Sequence, residues 1–103
     1  MSESEISEEY ERELARVVER VRTMPLTKLS TCSDDVFALC CALADLSQAA
    51  GSGLAGSQAL PRLGDHGLPD QLRVLGMELA ATGENAQISR GHELLVDMRK
   101  ALP

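Results

Sequence analysis

Aromatic residues are almost missing from this chain: among 103 residues there is one Phe, one Tyr and no Trp. Strands are enriched in β-branched and aromatic side chains, and no alternating run of Val, Ile, Thr or Tyr is long enough to form one, so no sheet is expected. Basic residues are also scarce, with 10 Lys and Arg against 16 Asp and Glu and a net charge of −6. Binding that draws its affinity from phosphates or anionic lipid needs clustered cations, so nucleic acid is a poor partner on charge alone. Cysteines number three, Cys32, Cys40 and Cys41. The count is odd, and adjacent helical side chains diverge by about 100°, which argues against a disulfide framework. No apolar run approaches the roughly 18 residues needed to span a bilayer. The opening Met-Ser-Glu-Ser-Glu lacks the basic and apolar regions of a secretory leader. The expected location is the cytoplasm, away from membranes.

What is present is helical. The length suits one domain with one core, and the hydrophobic 44% must supply that core from Leu, Val, Ala and Met. Ile6, Tyr10, Leu14, Val17, Val21 and Met24 recur at steps of three and four, which places them on one helix face over about residues 4–24. Ser2 or Ser4 can cap this helix, glutamates suit its positive start, arginines suit its end, and Pro25 stops it. A second helix is expected over about 33–50, with Asp34 and Asp35 in its first turn, Phe37 as its largest anchor and Gly51 as its C-terminal cap. Its small apolar residues make it the most buried helix of the set.

Five of the eight glycines and Pro61 fall between Gly51 and Gly67, which marks residues 51–68 as a flexible connector. The third helix spans about 69–82, with Pro69 at its first position and a stop at Thr82-Gly83. The fourth spans about 85–102. The expected fold is all-α, a four-helix arrangement of two antiparallel helical hairpins joined by the glycine-rich loop. In an antiparallel hairpin about Gly83 and Glu84, Leu72 lies level with Leu95, Leu79 with Ile88, and Gly76 with Gly91. Interior glycines cost about 1 kcal/mol each in a helix, so Gly76 and Gly91 are expected to mark a close crossing of these two helices.

Motifs that could carry chemistry do so only in the right structural context. Gly51-Ser52-Gly53-Leu54-Ala55-Gly56 matches the dinucleotide-binding spacing G-x-G-x-x-G, but a helix precedes it and no strand or βαβ unit surrounds it, so it reads as connector. His92-Glu93 begins the zinc-protease pattern, yet Val96 stands where the second His belongs. With only His66 and His92 and no C-x-x-C pair, no metal site, cofactor or catalytic residue is expected. Asp65-His66 in the loop reads as a turn with a solvated imidazole. The chain is therefore expected not to be an enzyme.

The stretch from Glu78 to Arg90 resembles the helix-turn-helix of bacterial transcription regulators, in which Gly makes the turn and an apolar residue anchors the recognition helix. The resemblance covers about an eighth of the chain and implies DNA contacts at Gln87, Ser89 and Arg90. It departs from the motif where polar Ser89 occupies the expected anchor position. Glu3, Glu5, Glu8, Glu9, Glu11 and Glu13 gather at one end of the first helix, which would suit a basic partner or a DNA-mimicking inhibitor of a basic nucleic-acid enzyme. The leading expectation is an acidic helical protein–protein interaction module or adaptor, bound to another protein or to itself as a homodimer. Its candidate seam is the near-heptad stripe Tyr10, Leu14, Val17 and Val21.

Overall fold

The structure, a computed structural model of the chain, describes residues 3–49, 51, 60–62 and 64–102, with side chains from residue 5 onward. Among these residues are four α-helices, α1 (Glu3–Thr23), α2 (Leu26–Ala49), α3 (Leu68–Thr82) and α4 (Asn85–Ala101), with a short 3-10 turn at Asp65–Gly67 before α3. They pack on one another, and no strand occurs among the described residues. The all-α, four-helix arrangement expected from the sequence is the observed one. Ser2, the side chain of Ser4, and half of the expected connector, including the G-x-G-x-x-G stretch beyond Gly51, lie outside what is described.

Helix boundaries follow the local chemistry. Gly51 takes φ +95° and donates its N–H to the Gln48 carbonyl at 3.0 Å, the left-handed cap expected at the end of α2. Pro69 sits in the first turn of α3, and the N–H of Gly83 closes that helix on the Leu79 carbonyl. Glu84 and Gln87 form a reciprocal capping box at the start of α4.

One boundary differs by seven residues: α2 begins at Leu26 rather than near Ser33. Pro25 ends α1 and also starts α2, because its carbonyl accepts the N–H groups of Lys28 and Leu29 at 2.9 Å. The Ser and Thr residues that suggested a break turn their hydroxyls back into the helix. Ser30 donates to the Thr27 carbonyl, Thr31 to Lys28 and Ser33 to Ser30.

Packing crosses between the two sequential pairs more than within them. α1 lies chiefly on α4 and α3, and α2 chiefly on α3, while α3 and α4 touch each other sparingly. Arg22 at the end of α1 meets Asp70 at the start of α3, and Tyr10 bonds Gly76. α1 therefore runs antiparallel to α3, its C-terminal end beside the N-terminal end of α3.

This placement corrects the expected meeting of Gly76 with Gly91. A Cβ on Gly76 would fall 2.5 Å from Leu14 Cδ1, and one on Gly91 would fall 2.7 Å from Leu79 Cδ2 and 3.0 Å from Tyr10 Cε2. Gly76 makes room for Leu14 of α1, and Gly91 for Leu79 of α3 and Tyr10 of α1. Tyr10 sits beside both and donates its hydroxyl to the Gly76 carbonyl at 2.8 Å, fully buried. The two glycines do not face each other: α1 packs onto α3 at Gly76, and side chains of both α3 and α1 pack onto α4 at Gly91.

The core is one cluster that includes Tyr10, Val17, Val21, Val36, Leu43, Leu68, Leu72, Leu79 and Leu95. Phe37, expected as the anchor of α2, is only half-buried and lies under the Arg62 guanidinium, 4.9 Å from ring centroid to Cζ. Arg62 also donates to the Ser33 carbonyl at 3.2 Å and to Asp34 at 3.0 Å, and Gln71 donates to the Pro61 carbonyl at 2.9 Å. These bonds pin the segment before α3 onto α2 and α3.

Candidate interaction surface

α3 has two apolar faces. Leu68, Leu72, Leu75 and Leu79, at steps of three and four, face the core. The opposite side carries Val74 and Met77, which remain 61% and 46% exposed, the two exposed large apolar side chains of this helix. Ala81 continues the same line one turn later and is also exposed.

Beside this line runs a groove of about 220 Å³ between α1 and α3. Leu14, Ala15, Val18 and Met77 supply its apolar lining, and Glu11, Glu19, Arg22 and Arg73 its charged rim. Arg22 closes one end, reaching Glu19 at 3.8 Å on its own helix and Asp70 at 3.7 Å across the groove. A shallower depression on the outer side of α3 is lined by Asp70, Arg73, Val74, Met77 and Glu78. The two hollows share Arg73 and Met77 and form one continuous face. It presents a narrow apolar strip between charges of both signs.

The seam expected from the sequence is not at the surface. Tyr10, Leu14, Val17 and Val21 are at most 2% exposed, so they build the protein's own core and, apart from the edge of Leu14 that lines the groove, offer no surface. A helical stripe marks the side a helix buries, whether in its own fold or against a partner. Val74 and Met77 were missed because they fall outside the Leu stripe of α3, although two apolar residues three apart on the polar side were a readable signal.

The residues of the helix-turn-helix resemblance are largely occupied. Gln87 Oε1 accepts the Glu84 N–H at 2.9 Å, Arg90 pairs with Glu93 at 3.0 Å, and Ser89 is exposed. The acidic end of α1 is also less uniform than the sequence suggests. Glu8, Glu9 and Glu11 are exposed, whereas Glu13 is buried and bridges Arg99 of α4 and Arg16. Removal of Glu13 from the acidic patch turns a surface charge into a tie between α1 and α4. Compared with protein-family models, with curated proteins and with solved structures, the chain matches none.

No three of His, Cys, Asp and Glu gather into a metal-holding group among the described residues. Asp65 points toward Arg62 at 4.0 Å, and His66 is exposed. The three thiols are free. Burial pushes Cys40 up to about 12, with a smaller contribution from Cys41. Burial also raises Cys32, aided by the charges of Asp35 and Asp65, and raises Cys41, aided by Asp45. Cys32 lies 3.7 Å from the Met24 sulfur.

A pH dependence follows from Cys40. The folded chain holds this proton more tightly than the unfolded chain, whose thiol titrates near its ordinary 9.0. Folded stability is therefore fully present below about pH 9 and falls as pH rises toward 12. Burial raises Tyr10 as well, which deepens the same alkaline loss. Urea melts between pH 8 and the alkaline limit should show a falling midpoint, and Cys40→Ala should flatten part of that fall. An unchanged slope in the variant would mean that Cys40 is not held protonated by burial.

Proposed function

We propose that this chain is a small acidic interaction module that binds another protein through the α1/α3 face, acting by docking rather than by catalysis. The observation that carries the reading is the exposure of Val74 and Met77 in line on α3, beside a groove with an apolar lining and a rim of mixed charge. An exposed apolar strip with a charged border costs solubility unless a partner covers it, and such borders select partners and orient them. The thiols support binding over thiol chemistry, since all three are shifted toward the protonated form. Free cysteines also fit the reducing cytoplasm, where we place the protein.

A photo-crosslinking residue at position 77, compared with one at exposed Lys100 on α4, tests this. The expected result is a discrete protein adduct from position 77 that Val74→Lys abolishes. Equal, diffuse labelling from both positions would sink the reading. Salt-sensitive binding of duplex DNA that is lost on Arg90→Ala would replace it with the helix-turn-helix alternative.

A further inference from the structure

The outer face of α3 carries its own complement, and we propose that its occupant is a second copy of this chain, docked α3 against α3 in parallel about a two-fold axis. This rests on the interaction-module reading and names its partner. Val74, Met77 and Ala81 follow one another at steps of three and four, the spacing of a coiled-coil seam, with Val74 and Ala81 at the first apolar position of the heptad and Met77 at the second. In that frame Arg73 directly precedes the seam and Glu78 directly follows it, on opposite sides and five residues apart. Five residues is the offset at which two parallel helices exchange flanking charges, so Arg73 of each copy meets Glu78 of the other. A two-fold axis requires a patch that complements itself, and this pair of flanks does so twice.

The surroundings fit the same arrangement. Arg73 is exposed, Glu78 is partly exposed, and both line the depression over Val74 and Met77. Asp70 occupies the preceding seam position, where two carboxylates would oppose each other. Arg22 reaches it at 3.7 Å, which offsets that repulsion and confines the apolar contact to Arg73 through Ala81. A contact of this length belongs to the small, reversible class of interfaces. The dimer is therefore concentration-dependent.

Sedimentation equilibrium on the purified full chain over a wide concentration range tests the proposal, with circular dichroism confirming that each variant keeps its helices. Wild-type protein should dimerise reversibly, and the Val74→Lys, Met77→Lys double variant should stay monomeric. Arg73→Glu and Glu78→Arg should each weaken self-association by roughly tenfold. The deciding measurement mixes these two single variants. In the mixed pair the introduced glutamate of one copy faces the introduced arginine of the other, and the remaining native Arg73 faces the remaining native Glu78. The heterodimer should therefore recover close to wild-type affinity. A wild-type monomer at every concentration overturns the second-copy proposal, and so does a mixture no tighter than its components. A position-77 adduct with a different protein, alongside a wild-type monomer, would leave the interaction module standing with another partner.

Discussion

Tyr10→Ala should remove most of the folded stability of this protein, while Tyr10→Phe should cost only a small part of it. Tyr10 is the single fully buried aromatic side chain, lies between the two interior glycines and donates its hydroxyl to the Gly76 carbonyl at 2.8 Å. Truncating a buried aromatic residue costs about 3–5 kcal/mol, because the lost transfer free energy adds to the cavity left behind. Losing the hydroxyl alone costs about 1 kcal/mol, since the Gly76 carbonyl belongs to a helix and keeps other means of satisfaction. For a domain of this size each 1 kcal/mol lowers the melting midpoint by roughly 4–8 °C. The alanine variant should therefore melt at least about 12 °C below wild type and the phenylalanine variant within about 8 °C of it. Thermal melts by circular dichroism separate the two. Equal losses for both would mean that the hydrogen bond, not the ring, holds α1 in place, and a negligible loss for alanine would mean that α1 is not docked through Tyr10.

Much of this architecture was readable in the sequence because it is local. Pro25, Gly51, Pro69 and Gly83 each act within a turn of their own position, and all four mark helix ends as expected. The apolar stripe of α1 names Tyr10, Leu14, Val17 and Val21 correctly as buried, but leaves out Val18 and Glu13 and includes Ile6, which is only partly buried. It could not say whether they meet a partner or the rest of the same chain, because periodicity encodes the buried side and not what covers it. The start of α2 was misplaced for a different reason. Ser30, Thr31 and Ser33 are ambiguous residues whose hydroxyls either break a helix by capping or bond back inside it, and only the surrounding packing selects the second. The Gly76 and Gly91 pairing failed at long range: the register of α3 against α4 assumed they were each other's nearest neighbours, whereas Tyr10, more than sixty residues earlier, bonds the Gly76 carbonyl and lies beside Gly91. The α3 face lay in plain sequence as Val74 and Met77, but two apolar residues carry meaning only once the opposite side of the helix is known to be filled.

The same two glycines provide the sharper test of which helices meet. Gly76→Leu should destabilise the fold by about 1–3 kcal/mol, because it adds volume where even a Cβ would lie 2.5 and 2.6 Å from the Leu14 methyls and 3.1 Å from Leu14 Cγ. That loss alone does not say what the leucine collides with, since a direct crossing of α3 and α4 would also resist it. The smaller Gly76→Ala does, when made in two backgrounds. Alanine gains about 1 kcal/mol of helix propensity over glycine, and in the wild type the clash with Leu14 opposes that gain. In a Leu14→Ala background the obstruction is gone, so Gly76→Ala should become neutral or stabilising even though Leu14→Ala is itself costly. The coupling between the two positions, read from urea midpoints, should be on the order of 1 kcal/mol. Gly76→Ala should show no comparable coupling to Gly91→Ala, because Gly91 faces Leu79 and Tyr10 instead. Strong coupling between the glycines, with none to Leu14, would put α3 directly against α4 and move α1 off the face of α3. The α1/α3 groove would then vanish, and with it the basis for a docking surface there.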